Sequence, residues 1–181
     1  MKRMASLRKY IDIGANLTDD MYQGVYHGSK KHEPDLVKVL NRSWNAGMDK
    51  MIITGGSLVD TRLFSTVGCH PTRCNDFIPD PESYLKDLRH LISENKDKVV
   101  AIGECGLDYE RLHFCEKDVQ LKYFELQLQL SKEFNLPLFL HCRAAADDLI
   151  DILKRNKDEI MGGVFIKNKR EFRSSNKNTT R

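Results

Sequence analysis

No stretch of this chain approaches the ~18–20 consecutive apolar residues that a membrane-crossing helix needs. The basic start, MKRMASLRKY, is followed by no apolar core, so a secretory signal is not expected. Cys-x-x-Cys is absent as well. The five cysteines, Cys69, Cys74, Cys105, Cys115 and Cys142, are an odd number without zinc-site spacing. That argues against a structural zinc or a disulfide framework, and for a reducing compartment, nucleus or cytoplasm. Nor does one sign of charge dominate. The net charge of +3 is confined to the last fifteen residues, Lys167–Arg181, which carry +5, leaving −2 for the other 166. The body therefore lacks the basic footprint from which nucleic-acid binding is read. At 181 residues, 40% hydrophobic and 30% charged, the chain fits one globular domain.

Six short apolar runs read as strands: Tyr10–Gly14, Met51–Thr54, Phe64–Gly68, Val99–Gly103, Leu138–His141 and Gly163–Ile166. They do not alternate with polar residues, as expected of strands buried on both faces of a parallel sheet. Helical patterns lie between them. Over 33–46, Leu36, Val37, Leu40 and Trp44 share a face and Gly47 supplies a C-terminal stop. Asp80 and Pro81 are an N-cap and a first-turn proline for a helix with Tyr84, Leu85, Leu88, Leu91 and Ile92 on one stripe. Two further helices are expected over about 118–134 and 145–155, with Leu121, Phe124 and Leu128, then Leu149, Ile152 and Leu153, facing inward. Alternating strand and helix predicts an α/β fold. The nine residues Gly55–Leu63 break the pattern, being too few for a parallel crossover with its helix. Either the flanking strands are not parallel neighbours or a helix has been lost. The domain is expected over 10–166, with 167–181 a basic, disordered tail.

Three predicted strands end in residues of catalytic type: Gly68-Cys69-His70-Pro71, Gly103-Glu104-Cys105-Gly106-Leu107-Asp108-Tyr109 and His141-Cys142-Arg143. In parallel α/β folds ligand sites lie at the carboxyl ends of the strands. A Glu, two His, an Asp and an Arg gathered there suit a divalent cation and an anionic substrate. Glu104 follows a buried run, where a carboxylate needs a cation or donors. His70 ahead of a proline serves either the site or the strand end. His141 is either a site residue or a satisfied core histidine, Asp108 either a site residue or a turn cap, and Arg143 either a site residue or an ordinary ion-pair partner. The first strand adds Asp12 and Asn16. Cys69, Cys105 and Cys142 alternate with the site candidates and read as packing residues rather than nucleophiles.

The segments YIDIGANL (Tyr10–Leu17), STVGCHPTR (Ser65–Arg73), VAIGECGLDY (Val100–Tyr109) and LPLFLHCR (Leu136–Arg143), in this order, resemble the TatD family of metal-dependent deoxyribonucleases, in its eukaryotic branch. The resemblance implies a TIM (β/α)8 barrel of the amidohydrolase superfamily, here incomplete with about six of eight strands. It implies hydrolysis of DNA phosphodiester bonds with divalent metal ions, Mg2+, Mn2+ or Zn2+. Carried over position by position, it makes Glu104 and His141 metal ligands, and places His70, Asp108 and Arg143 around the substrate. DNA is then the partner, with no membrane, and open sheet edges offer a route to self-association. The sequence also departs from the family. Gly14 and Asn16 occupy the positions of a His-x-His pair, a departure the eukaryotic branch shares. Phe165, Ile166 and Lys167 follow Gly162–Val164 where a His-Ser-Phe motif supplies a ligand, and a later aspartate-bearing strand has no counterpart. Together with the short 55–63 connection this implies a truncated, internally deleted form, for which a catalytically inactive or interaction-only product is the alternative. A third reading makes the basic tail a nucleic-acid binder.

Overall fold

The computed structural model describes residues 8–54 and 62–167, with side chains as far as Gly163. The expected tail beyond Lys167, which itself ends a strand, and most of the 55–63 connection lie outside the described residues. Those described form two compact units. One holds the residues up to Thr66 together with Lys96–Val100, the other Val67–Asn95 and the residues from Ala101 onward.

In the first unit the chain runs β1 (Tyr10–Ala15), β2 (Val25–Tyr26), β3 (Ser29–Lys30), α1 (Leu36–Asn45), β4 (Met48–Thr54) and β5 (Leu63–Val67), whose last residue passes into the second unit. β1 pairs in parallel with β4, and β4 with β5. Met51 lies opposite Leu63 and Thr54 opposite Thr66, so the strands flanking the short connection are parallel neighbours after all. That removes one of the two explanations offered for its length. α1 turns Leu40 and Trp44 onto a cluster of Ala15, Met51, Ile53 and Leu63. Val37, at the margin of the predicted stripe, stays exposed. Gly47, at φ +101°, ends α1 in the left-handed conformation that glycine adopts without cost. β2 and β3 form an antiparallel ladder of two residues each, too short for a periodic signal. Among the described residues β1 pairs with β4 alone, and it leaves Tyr10, Ile11 and Ile13 exposed.

The second unit contains a 3-10 helix (Pro71–Phe77), α2 (Pro81–Glu94), most of β6 (Val99–Asp108), α3 (Lys117–Phe134), β7 (Leu138–Arg143), α4 (Ala146–Arg155) and β8 (Gly163–Lys167). β6, β7 and β8 are parallel and adjacent in that order. α2 begins as its sequence predicts. The Asp80 carboxylate accepts the Ser83 N–H at 2.9 Å, and Pro81 takes a first-turn place where no N–H is needed. Leu85, Leu88 and Ile92 are buried, while Leu91 is exposed. α3 buries Tyr123, Phe124, Leu128 and Leu130, and the Tyr123 ring stacks on Phe77 at 4.7 Å. With Ile102, Leu107, Leu138, Leu140, Leu149 and Ile152 these side chains form the core of this unit. Each such burial stabilises by about 1.5–3 kcal/mol. β6 runs five residues beyond its predicted end, so Glu104 and Asp108 lie within a strand rather than in the loop after it.

Candidate metal centre

β6 and β7 bring the motif residues together. In their register Gly106 lies opposite His141 and Asp108 opposite Arg143. Gly106 has φ +140°, and a Cβ there would sit 2.0 Å from the His141 carbonyl oxygen. Only glycine permits this approach, which sets where the His141 backbone lies against β6. His70 follows β5 and caps the 3-10 helix, with the Arg73 N–H donating to its carbonyl at 2.8 Å. Its ring Nδ1 lies 2.8 Å from the Thr72 hydroxyl and 3.3 Å from the Thr72 N–H.

His141 is the hub. Its Nδ1 lies 2.8 Å from Glu104 Oε1 and 3.3 Å from His70 Nε2, while its Nε2 lies 3.0 Å from Asp108 Oδ2. The two imidazoles meet edge to face, with centroids 4.5 Å apart. One ligand atom each from His70, Glu104 and His141 falls within 4.8 Å of the other two. Glu104 and His141 keep 21% and 12% of their side-chain surface, enough for contact with solvent. Asp108 has none, and its Oδ1 has no hydrogen-bond partner among the described residues. Arg143 approaches Asp108 Oδ2 at 3.6 Å and Glu110 at 3.8 Å, and Arg111 approaches the same Oδ2 at 3.9 Å.

Burial pushes the His70 imidazole down to about 4, and neighbouring His141 adds to the fall, so this ring is uncharged at neutral pH. Burial works against ionisation of Glu104 too, but the contact with His141 outweighs it. The carboxyl lies below its ordinary value and is ionised. Two imidazoles and a carboxylate are the donors that zinc and manganese accept, more mixed than the all-oxygen sets of calcium or magnesium. One ligand atom each from two imidazoles and a carboxylate, gathered this close, suits a divalent cation.

The five candidates from the sequence thus lie in the second unit and within one connected group. Asp12 and Asn16 lie in the first unit, where Asp12 Oδ1 accepts the Gly14 N–H at 3.0 Å and the Asn16 amide reaches Asp19 at 3.4 Å. Asp108, expected among the residues around the substrate, is fully enclosed behind His141. Two residues were not anticipated. Gln120 of α3 accepts the Asp108 N–H at 2.8 Å and donates to the Asp108 carbonyl at 3.1 Å. Gln127, two turns on, does the same for Cys69, at 2.7 and 3.3 Å. Both side chains are wholly buried and clasp the backbone beside His70 and at Asp108. Their signal was two glutamines seven residues apart among Phe124 and Leu128 on an apolar helix face. Cys69 and Cys105 are buried packing residues, as expected, and Cys142 is half-buried.

The TatD related DNase family matches residues 11–168. This chain belongs to that family. It is 39% identical over 180 residues to deoxyribonuclease Tat-D of Schizosaccharomyces pombe, covering 87% of itself and 58% of that protein. It is 34% identical over 165 residues to a 3'-5' ssDNA/RNA exonuclease TatD of a Rahnella species, covering 84% and 57%. A crystal structure of a TatD family hydrolase from Entamoeba histolytica superposes with a TM-score of 0.77 at 40% identity, over 85% of this chain and 56% of that one. An uncharacterized amidohydrolase from Saccharomyces cerevisiae follows at 0.74 and 34%, over 81% and 51%. The fold is therefore the α/β, TIM-barrel-like type of these hydrolases. The chain spans about half the length of the curated relatives it matches.

Proposed function

We propose that this chain carries the metal-binding half of a nuclease that hydrolyses phosphodiester bonds in DNA. The convergence of Glu104 on β6, His141 on β7 and His70 after β5, in a TatD-family chain, carries this reading. Glu104 and His141 hold a divalent cation, with His70 completing the set. The two imidazoles favour Mn2+ or Zn2+ over Mg2+. A cation in such a site supplies Lewis-acid polarisation of a phosphoryl oxygen and acidification of a water. The chain's own residues supply position. Arg143, retaining 18% of its side-chain surface, offers a planar fork of donors suited to a phosphate. The Gln120 and Gln127 clasps keep the site backbone from moving as charge develops. DNA is the substrate, a reading supported by relatives named as a deoxyribonuclease and as an exonuclease on single-stranded DNA and RNA. The five free cysteines support a nuclear or cytoplasmic location. Exposed Tyr10, Ile11 and Ile13 on β1 support self-association through that edge.

The test is cleavage of single- and double-stranded oligonucleotides by purified chain with Mn2+ or Mg2+, beside Glu104→Ala and His141→Ala. Cleavage abolished by EDTA and by either substitution is the expected result. Folded protein whose cleavage matches that of both variants overturns the proposal.

A further inference from the structure

We infer that Asp108 is a positioning residue for the cation site: it acts through His141 and touches neither substrate nor metal. The inference rests on the reading of Glu104 and His141 as ligands. Asp108 has no exposed side-chain surface, so no phosphate can reach it. Its Oδ2 lies 3.0 Å from His141 Nε2, while the opposite nitrogen of that ring faces Glu104 Oε1 and His70 Nε2. A carboxylate accepts and cannot donate, so the proton between them belongs to Nε2. Nδ1 is then left with its lone pair directed at the other two donors. The same contact helps fix the plane of the ring, whose last torsion has only broad wells of its own.

The surroundings hold Asp108 for this task. Gln120 clasps its backbone N–H and carbonyl at 2.8 and 3.1 Å. Arg143 and Arg111 approach Oδ2 at 3.6 and 3.9 Å. Oδ1 gains nothing from its burial, having no partner among the described residues. A carboxylate merely filling a core would be costly there, and an apolar side chain would pack as well. What an apolar side chain could not do is accept a hydrogen bond from His141 Nε2.

Mn2+ titration of the purified 181-residue chain, read by calorimetry, tests this beside Asp108→Ala and Asp108→Asn. The Ala variant removes the acceptor, and its Mn2+ dissociation constant should rise about 10- to 100-fold. The Asn variant keeps a neutral acceptor oxygen, and the rise should be several-fold smaller. Zn2+-loaded, 15N-labelled protein supplies a readout that a packing role would not move. The His141 ring N–H should be slow to exchange in the wild type, retained in Asp108→Asn and lost in Asp108→Ala. Wild-type Mn2+ affinity in a folded Asp108→Ala, or a protected His141 N–H that survives it, overturns the assignment. If the Ala variant does not fold, unchanged Mn2+ affinity in Asp108→Asn overturns it equally. A wild-type chain that binds no Mn2+ overturns the metal-site reading as well, whereas the variant results bear on Asp108 alone.

Discussion

At the scale of single residues, the site depends on one missing side chain as much as on those present. Gly106 lets β6 pass close to the His141 carbonyl, where a Cβ would have 2.0 Å of room. Gly106→Ala must therefore either push β7 away or abandon φ +140°. The expected result is a loss of about 1–3 kcal/mol of stability, read by thermal unfolding, together with weakened metal binding. Much of the chemistry at this scale was legible. Glu104 closes an apolar run where a lone carboxylate has no business, and His141 closes another. What was not legible was the direction each side chain takes. The fold turns the His70 ring onto Glu104 and His141 and encloses Asp108 behind them, directions that the motif spacing did not carry. Spacing along a strand says which face a residue takes, not what stands opposite.

At the scale of elements, α3 links the two ends of the site. Gln120 and Gln127 reach from one helix to the backbones of Asp108 and Cys69. Gln127→Leu would leave the Cys69 N–H without its side-chain acceptor in a dry interior. Its unfolding free energy should fall by about 1–3 kcal/mol in denaturant titrations. A second link joins α3 to α4, where Arg155 grips Glu125 through two hydrogen bonds of 2.8 and 2.6 Å. The Arg155 hydrogen bonds hold the Glu125 carboxyl down at about 2, with Asn156 assisting against the smaller opposing effect of burial. An unfolded glutamate titrates near ~4.3. The folded value being lower, the stabilisation is fully present above that pH and is lost as pH falls toward 2. Wild type should therefore exceed Glu125→Gln in stability near neutrality, with the gap closing between about pH 4 and 2. The gap should be small, since both groups are well exposed. Asp80, Pro81 and Gly47 marked their helix ends correctly because caps are decided locally. The glutamines escaped notice because a polar side chain on a helix reads as solvent-facing until its partner, far away in sequence, is known. β6 was cut short because Gly103-Glu104-Cys105-Gly106 interrupts the apolar run that defines a buried strand, although the strand continues to Asp108.

At the scale of the molecule, parallel strands separated by helices were expected from the sequence, and so were the family and the six strands of the parallel sheet, but not the β2–β3 ladder. The pairing of β4 with β5 across so short a connection was left open, because loop length alone does not fix strand order. β1 presents Tyr10, Ile11 and Ile13 to solvent along an edge that pairs on one side only among the described residues. Replacing Ile11 and Ile13 with lysine should lower concentration-dependent light scattering without lowering metal affinity, and unchanged scattering would argue against association at that edge. The central claim, that His70, Glu104 and His141 together hold a divalent cation, is tested most directly by Mn2+ binding to the wild type and to the three single alanine variants. Saturable binding that Glu104→Ala and His141→Ala abolish, and that His70→Ala weakens, is the predicted result. Binding that survives loss of both Glu104 and His141, in protein whose circular dichroism is unchanged, would contradict it.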